Sequence, residues 1–395
     1  MGREIIKEIY LLIYKVTFSI FNLLPSRNKV TFVISFGDNS RYVYDQIRRN
    51  KVSCEAVVLY QGSSNSYFKN VDNIDLIPLN SFNIYFYIKG IYHLATSKYV
   101  LIDNYFGFLA ALDFKKGVEC IQLWHASGAI KKFGLEDQSV VSRSKRAKAR
   151  FSKVYKNFHK VVVGSDVMAD YFIKAFGLSS KNILFTGIPR TDFFFDKDSK
   201  KSIKERFNER HPELLQKKKV LYAPTYRDGQ LNHFELKLDL NLMEKELGDD
   251  YVLLLRLHPA IKDTSNYAVQ HPGFVYDFSS AKFDINELLL IADYLITDYS
   301  SIPYEFSLLG KPMVFFAYDL DTYEMERGLW DRYEKMVPGP IVKSSEEIIT
   351  VIKESSFDLK VVKDYSRKWN KYSNGQSSEN LVNYMLFNNK KTGRE

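Results

Sequence analysis

Four apolar runs in this chain end in side chains able to move protons or hold anions. The run 121–123 leads into Trp124, His125, Ala126 and Ser127, and 220–223 leads into Pro224, Thr225, Tyr226, Arg227 and Asp228. The run 252–255 leads into Arg256, Leu257, His258 and Pro259, and 293–297 into Asp298, Tyr299, Ser300 and Ser301. A histidine titrates near ~6.5 when unperturbed, which suits general acid–base work close to neutrality. Arginine offers a charged fork for carboxylate or phosphate. A serine pair ahead of a helix, with Pro303 near the first helical position, combines hydroxyls, unpaired N–H groups and the positive dipole end, an anion-holding arrangement. Taken alone, that pair is also an ordinary serine-capped helix start. Together the four runs place polar groups at strand carboxyl ends, where open α/β sheets bind their ligands.

In combination the segments resemble a known family. WHASGAIKKFG from Trp124, YAPTYRD from Tyr222, RLHP from Arg256, and ITDYSS from Ile296 followed by GKPMVFFAYDLDTY and PGP are similar to the CDP-glycerol glycerophosphotransferases of wall teichoic acid synthesis. The resemblance covers roughly residues 120–345. Its first motif departs from the family's WHG(T/S)PLKK at the Gly and Pro positions and keeps the histidine. The resemblance implies an α/β fold of two Rossmann-like domains with a cleft between them (GT-B type). It implies transfer of glycerol phosphate from CDP-glycerol to a hydroxyl, with CMP leaving. His125 is then the general base, and His258 serves the donor diphosphate. Arg227, Arg256, Asp298, Ser300, Ser301 and Glu305 fall on the donor side. Ser127, Asp319, Asp321 and Arg327 fall on the acceptor or glycerol side. Each has a plainer reading: a strand-end histidine, a solvent-facing Glu305, an arginine paired to a carboxylate. Asp319 and Asp321 have no metal-specific spacing, and no metal or cofactor is expected. His93, His159, His211, His233 and His271 match no part of the pattern.

The elements that must position these groups follow from composition and periodicity. At 395 residues the chain is long for one core and fits two domains. A hydrophobic fraction of 45% and an aromatic fraction of 15% describe a globular protein. Cys54 and Cys120 lie in apolar runs and read as small buried hydrophobes of a reducing compartment. No GxGxxG or Walker-type motif is present, which excludes the usual dehydrogenase and P-loop signatures. The net charge of +9 is densest from Arg143 to Arg150, continuing through Lys153, Lys156 and Lys160. That run reads as a solvated helix face or as a patch for an anionic membrane surface. No zinc-finger or RNA-binding spacing accompanies it, so no nucleic-acid partner is expected.

Residues 4–24 form an amphipathic helix with Glu4, Glu8, Lys15, Ser19 and Asn22 along one stripe and Ile5, Ile9, Leu12, Ile13 and Val16 on the other face. Lys15 interrupts it, and it is short for a membrane span of ~20 residues. An interfacial membrane helix and a helix docked by its apolar face are the two readings. Strands are expected at 29–36, 55–60, 99–102, 119–124 and 160–164, with helices between, the pattern of a parallel sheet. The expected domains are 1–25 (helix), 26–195 (acceptor), 196–360 (CDP-glycerol) and 361–395 (returning helix and tail), with one last helix over 364–387. Only about 120 residues precede the histidine motif, whereas polymer-forming members of the family carry a large extra N-terminal region. The expected member therefore adds the first glycerol phosphate to undecaprenyl-diphosphate-linked N-acetylmannosaminyl-N-acetylglucosamine, at the cytoplasmic face of the membrane as a peripheral protein. The alternatives are a glycerol- or ribitol-phosphate polymerase of the same family, or a noncatalytic nucleotide- or polyanion-binding protein.

Overall fold

A computed structural model describes residues 2–392 except 82, 226, 228–233, 259–260, 262–265 and 281–282. Asp228, His233 and Pro259 thus lie outside the described residues. The chain divides into two compact units. The first runs from the N-terminus through Ser127, from Phe133 to Asp192 and from Lys371 on, and the second comprises Gly128–Lys132 and Phe193–Asn370.

The first unit holds β1 (Arg27–Ile34), β2 (Glu55–Tyr60), β3 (Asp75–Pro78), β4 (Ser97–Ile102), β5 (Glu119–Gln122), β6 (Lys160–Val162) and β7 (Ile183–Leu184). They form one parallel sheet in the order β3-β2-β1-β4-β5-β6-β7. The second unit holds β8 (Lys218–Tyr222), β9 (Tyr251–Leu255), β10 (Val275–Asp277), β11 (Tyr294–Thr297), β12 (Met313–Phe316) and β13 (Ile341–Val342), parallel in the order β10-β9-β8-β11-β12-β13. Both are doubly wound, Rossmann-like sheets, the α/β class expected. Strands covered on both faces must be apolar along their length, and β9, β11 and β12 are buried at every position.

In each sheet the strand order reverses once, between β1 and β4 and between β8 and β11. In open α/β sheets such a reversal is where ligands bind, outside the carboxyl ends of the two strands.

Several elements differ from the expectation. β3 and β7 were not foreseen, because four and two residues carry too little periodicity to register. The expected final helix is two, Leu359–Trp369 and Ser377–Thr392, separated by a turn in which Gly375 takes φ 89°. The second of these packs on the first unit, where Leu381, Val382 and Met385 join the core of β1 and β4. Tyr99 donates to the Met385 carbonyl at 2.7 Å.

The helix Gly2–Phe21 is docked by its aromatic side. Tyr14 and Phe18 are buried, and Tyr14 stacks on Phe108 at 5.1 Å. Glu4 and Glu8 pair with Arg150 of the basic helix Lys145–Lys156 at 2.7 and 2.9 Å. Ile5, Ile6, Ile9, Leu12, Ile13 and Val16 are exposed. A helix docked in water turns its aliphatic face inward; this one turns it outward. No helix among the described residues is long and apolar enough to cross a membrane.

Candidate active site

The first unit builds its site at the β1/β4 switch point. Asp103 follows β4 and is fully buried. Its carboxylate accepts from the backbone N–H groups of Ser35 (2.9 Å), Phe36 (2.9 Å) and Gly37 (2.8 Å), which follow β1. Gly37 sits at φ 99°, a conformation that a side chain disfavours. Burial pushes the Asp103 carboxyl up to about 6 against those three donors. The anchored loop sets Phe36 against His125, with rings 4.2 Å apart and nearly parallel.

His125 lies three residues past β5, and Trp124 before it takes φ 60°. A left-handed tryptophan carries strain of about 1–3 kcal/mol and persists only where its surroundings fix it. Here they do: Asn39 donates to the Trp124 carbonyl at 2.9 Å, and the indole packs on Phe133 and Phe172. The Trp124 ring covers the second face of His125 at 4.4 Å. His125 Nδ1 is 3.0 Å from the Asp103 carbonyl oxygen. A carbonyl only accepts, so Nδ1 carries the proton and Nε2 keeps a lone pair. Burial first, then the Arg190 charge, lowers His125 to about 4; the Asp103 carbonyl and Asp38 oppose this. The ordinary imidazole value expected from sequence is thus displaced, because two aromatic faces exclude the water that would solvate imidazolium. Arg190 spans Asp38 at 2.8 Å and the His125 carbonyl at 2.9 Å, tying three loops together. Ser127, two residues beyond the histidine, is buried.

The second unit builds its site at the β8/β11 switch point. Asp298 is buried, and its carboxylate accepts from Thr225 N at 2.8 Å, Tyr299 N at 2.6 Å and Arg227 Nη1 at 3.0 Å. The remaining fork of Arg227 is bidentate to Asp319, at 2.9 and 3.0 Å. Tyr299 also donates to Asp319 at 3.0 Å and stacks on Tyr323 at 3.8 Å. Arg227 therefore holds the site together; its bidentate edge is engaged by a carboxylate rather than open to phosphate.

Thr297 donates to the Ala223 carbonyl at 2.6 Å, so the 2.9 Å contact between Thr297 and Ser300 uses the proton of Ser300. With its one proton so used, the Ser300 hydroxyl has only lone pairs left for a further partner. Ser301 stands at the start of the helix Ile302–Phe306 without a side-chain capping bond. Glu305 is buried, not solvent-facing. Asp321 and Arg327 are exposed, at opposite ends of the helix Leu320–Arg327. Arg256 Nη1 donates to the carbonyls of Phe278 and Ser280, both at 2.7 Å. His258 is exposed; desolvation, then Lys131 and Arg256, lower its pKa. Lys131 arrives through the tail of the histidine motif, which pairs antiparallel with Leu329. Gly128, in the same tail, lies so close to Tyr304 that an added Cβ would sit 2.5 Å from the ring.

The structure thus brings together Arg227, Asp298 and Asp319 in one cluster, and sets His125 in another whose partners Phe36, Asp38, Asn39, Asp103 and Arg190 the sequence reading missed. A polar residue directly after β1 or β4, the switch-point pair, was the available signal. His93, His159, His211 and His271 have structural partners in Lys29, the Cys120 N–H, Glu213 and Glu244 respectively.

A neutral histidine with an oriented lone pair can take a proton from a hydroxyl. A second histidine amid cations can serve a diphosphate. The profile of the CDP-glycerol:poly(glycerophosphate) glycerophosphotransferases matches residues 16–387. The chain belongs to that family. This glycerophosphotransferase is 36% identical to the teichoic acid glycerol-phosphate primase of Bacillus subtilis (strain 168), over 97% of the chain and 98% of that protein. It is 34% identical to the teichoic acid poly(ribitol-phosphate) polymerase of Bacillus spizizenii, over 98% of the chain and 61% of that protein. Its fold is that of the wall teichoic acid polymerase TagF, here a variant soaked with CDPG, with a TM-score of 0.79 and 22% identity over 99% of both chains. The glycerophosphotransferase is accordingly a transferase of teichoic acid biosynthesis.

Proposed function

We propose that this glycerophosphotransferase is a primase. It moves one sn-glycerol 3-phosphate from CDP-glycerol to the N-acetylmannosamine hydroxyl of undecaprenyl-diphosphate-linked N-acetylmannosaminyl-N-acetylglucosamine and releases CMP. The family supports the CDP-glycerol donor, and the 36% identity to a glycerol-phosphate primase supports the lipid-linked acceptor. The observation that carries the catalytic reading is the 3.0 Å contact from His125 Nδ1 to the Asp103 carbonyl.

In this mechanism His125 Nε2 takes the acceptor hydroxyl proton as the oxygen attacks the phosphorus bearing glycerol. The bond from that phosphorus to the bridging oxygen breaks, and CMP carries the electron pair away. His258 hydrogen-bonds or protonates the departing phosphate, with Lys131 and Arg256 as the nearby positive charge. Thr225, Ser300, Ser301 and Glu305 surround the donor, and Arg227 with Asp298 and Asp319 holds that surround rigid. Ser127, Asp321 and Arg327 serve the acceptor or glycerol end.

The protein works as a peripheral protein at the cytoplasmic membrane face. The outward aliphatic face of Gly2–Phe21 beside the basic helix Lys145–Lys156 supports this, since apolar area next to cations binds anionic lipid. His125→Ala and His258→Ala are each expected to slow CMP release about 10²–10⁴-fold, with circular dichroism unchanged. Unaltered rates in both would remove these roles.

A further inference from the structure

The first unit contains a cavity of about 1000 Å³ that the reaction above does not use. That is the upper end of ordinary ligand sites, about 300–1,000 Å³. Its walls come from the N-terminal helix (Tyr10, Leu11, Tyr14), from Leu59 and Ile77 near the ends of β2 and β3, and from Phe106 and Phe108 after β4. Charged groups line it too: Lys7, which pairs with the lining Glu4 at 3.1 Å, and Arg143 are both exposed. Tyr87 lines it as well, and its hydroxyl oxygen is shielded from solvent with no hydrogen-bond partner among the described residues. A shielded hydroxyl without a partner costs stability until a ligand or water oxygen meets it. The helix that forms one wall also presents the exposed aliphatic face described above. Apolar walls, a cationic border and continuity with an apolar surface make a place for a chain that leaves a membrane by its charged end.

We infer that this cavity holds the first part of the hydrocarbon tail of the lipid-linked acceptor, with its phosphate against Lys7 and Arg143. The inference deepens the primase reading and rests on a lipid-linked acceptor. A headgroup-only contact would leave the apolar walls unused, and Leu11, Leu59 and Ile77 suit a hydrocarbon chain.

Two substitutions fill the cavity without touching the residues assigned to transfer. At Gly90, on the helix Ile84–Thr96, an added Cβ meets nothing closer than the Leu59 methyls at 3.9 Å. Gly90→Leu adds volume there and raises helix propensity. Ala147→Leu adds volume from the basic helix at a small cost in helix propensity, should the first variant fail to fold. The probe is farnesyl phosphate, titrated without detergent by calorimetry, with inorganic phosphate and anionic vesicles of phosphatidylglycerol as comparisons. Saturable farnesyl phosphate binding that falls at least tenfold in a folded filling variant, with vesicle binding retained, is the expected result. Equal affinity in wild type and both variants overturns the inference, as does equal binding of inorganic phosphate. Turnover separates the two claims. If the probe binds in the cavity but no lipid-linked acceptor is glycerophosphorylated, the primase reading fails and the cavity stands. If a long-chain acceptor is used equally well by wild type and filled variants, the cavity fails and the primase reading stands.

Discussion

At the scale of single residues, the chemistry is set by what each side chain has already spent. His125 has given its Nδ1 proton to a carbonyl and its two faces to aromatic rings, so only Nε2 is left to act. Its value of about 4 makes it a weak base that is always in the right protonation state near neutrality. The sign follows: protonation removes the base, so activity is lost as pH falls through the folded value and not before. kcat/KM for the acceptor is expected to show no His125-derived acid limb near 6.5 between pH 5 and 8. A limb near 6.5 that disappears in His125→Ala would contradict the stacked, desolvated geometry. Arg227 has spent its charge on Asp298 and Asp319. Removing it leaves Asp298, 2% exposed, buried without its cation, which costs about 3–5 kcal/mol in comparable sites. Arg227→Ala should therefore lower the urea midpoint markedly. A variant of normal stability with only a raised KM for CDP-glycerol would return Arg227 to the phosphate.

Elements decide which of these residues meet. The strands that the sequence announces clearly are those with long apolar runs: β1, β2, β4 and β9 were legible because burial on both faces forces such runs. β7, two residues long, was not. His125, Arg227, Asp298 and the serines could be singled out because each lies within five residues of a strand's carboxyl end. Asp103 follows β4 just as closely, but its importance depends on β1 and β4 being neighbours, a fact of strand order and not of local pattern. Arg190 was harder still, since it reaches Asp38 across 152 positions of sequence. Glu305 could not be placed by pattern, because burial in a five-residue helix leaves no period. The altered first motif also becomes intelligible at this scale. Gly128 packs against the fully buried Tyr304, so the position admits little beyond hydrogen. Gly128→Ala is expected to destabilise the second unit by about 1–3 kcal/mol, measurable as a lower thermal midpoint. An unchanged midpoint would mean that the Tyr304 ring can move aside.

For the whole molecule, two Rossmann-like units carry two different kinds of site at equivalent places in their sheets. One presents a neutral base; the other presents an arginine–carboxylate cluster, serines and a histidine near cations. The division matches a reaction with two substrates of different character, a hydroxyl to be deprotonated and a diphosphate to be supported. The first unit also carries the outward aliphatic helix, the basic helix and the apolar cavity, the features a lipid-linked substrate would need. The +9 charge, ambiguous as a number, acquires a location when Arg150 ties the basic helix to the aliphatic one. The most direct measurement is the mass of the product formed from CDP-glycerol and a lipid-linked disaccharide with donor in large excess. One added glycerol phosphate per acceptor, with one CMP released, is the predicted result. A ladder of many units, or turnover with CDP-ribitol in place of CDP-glycerol, would contradict it.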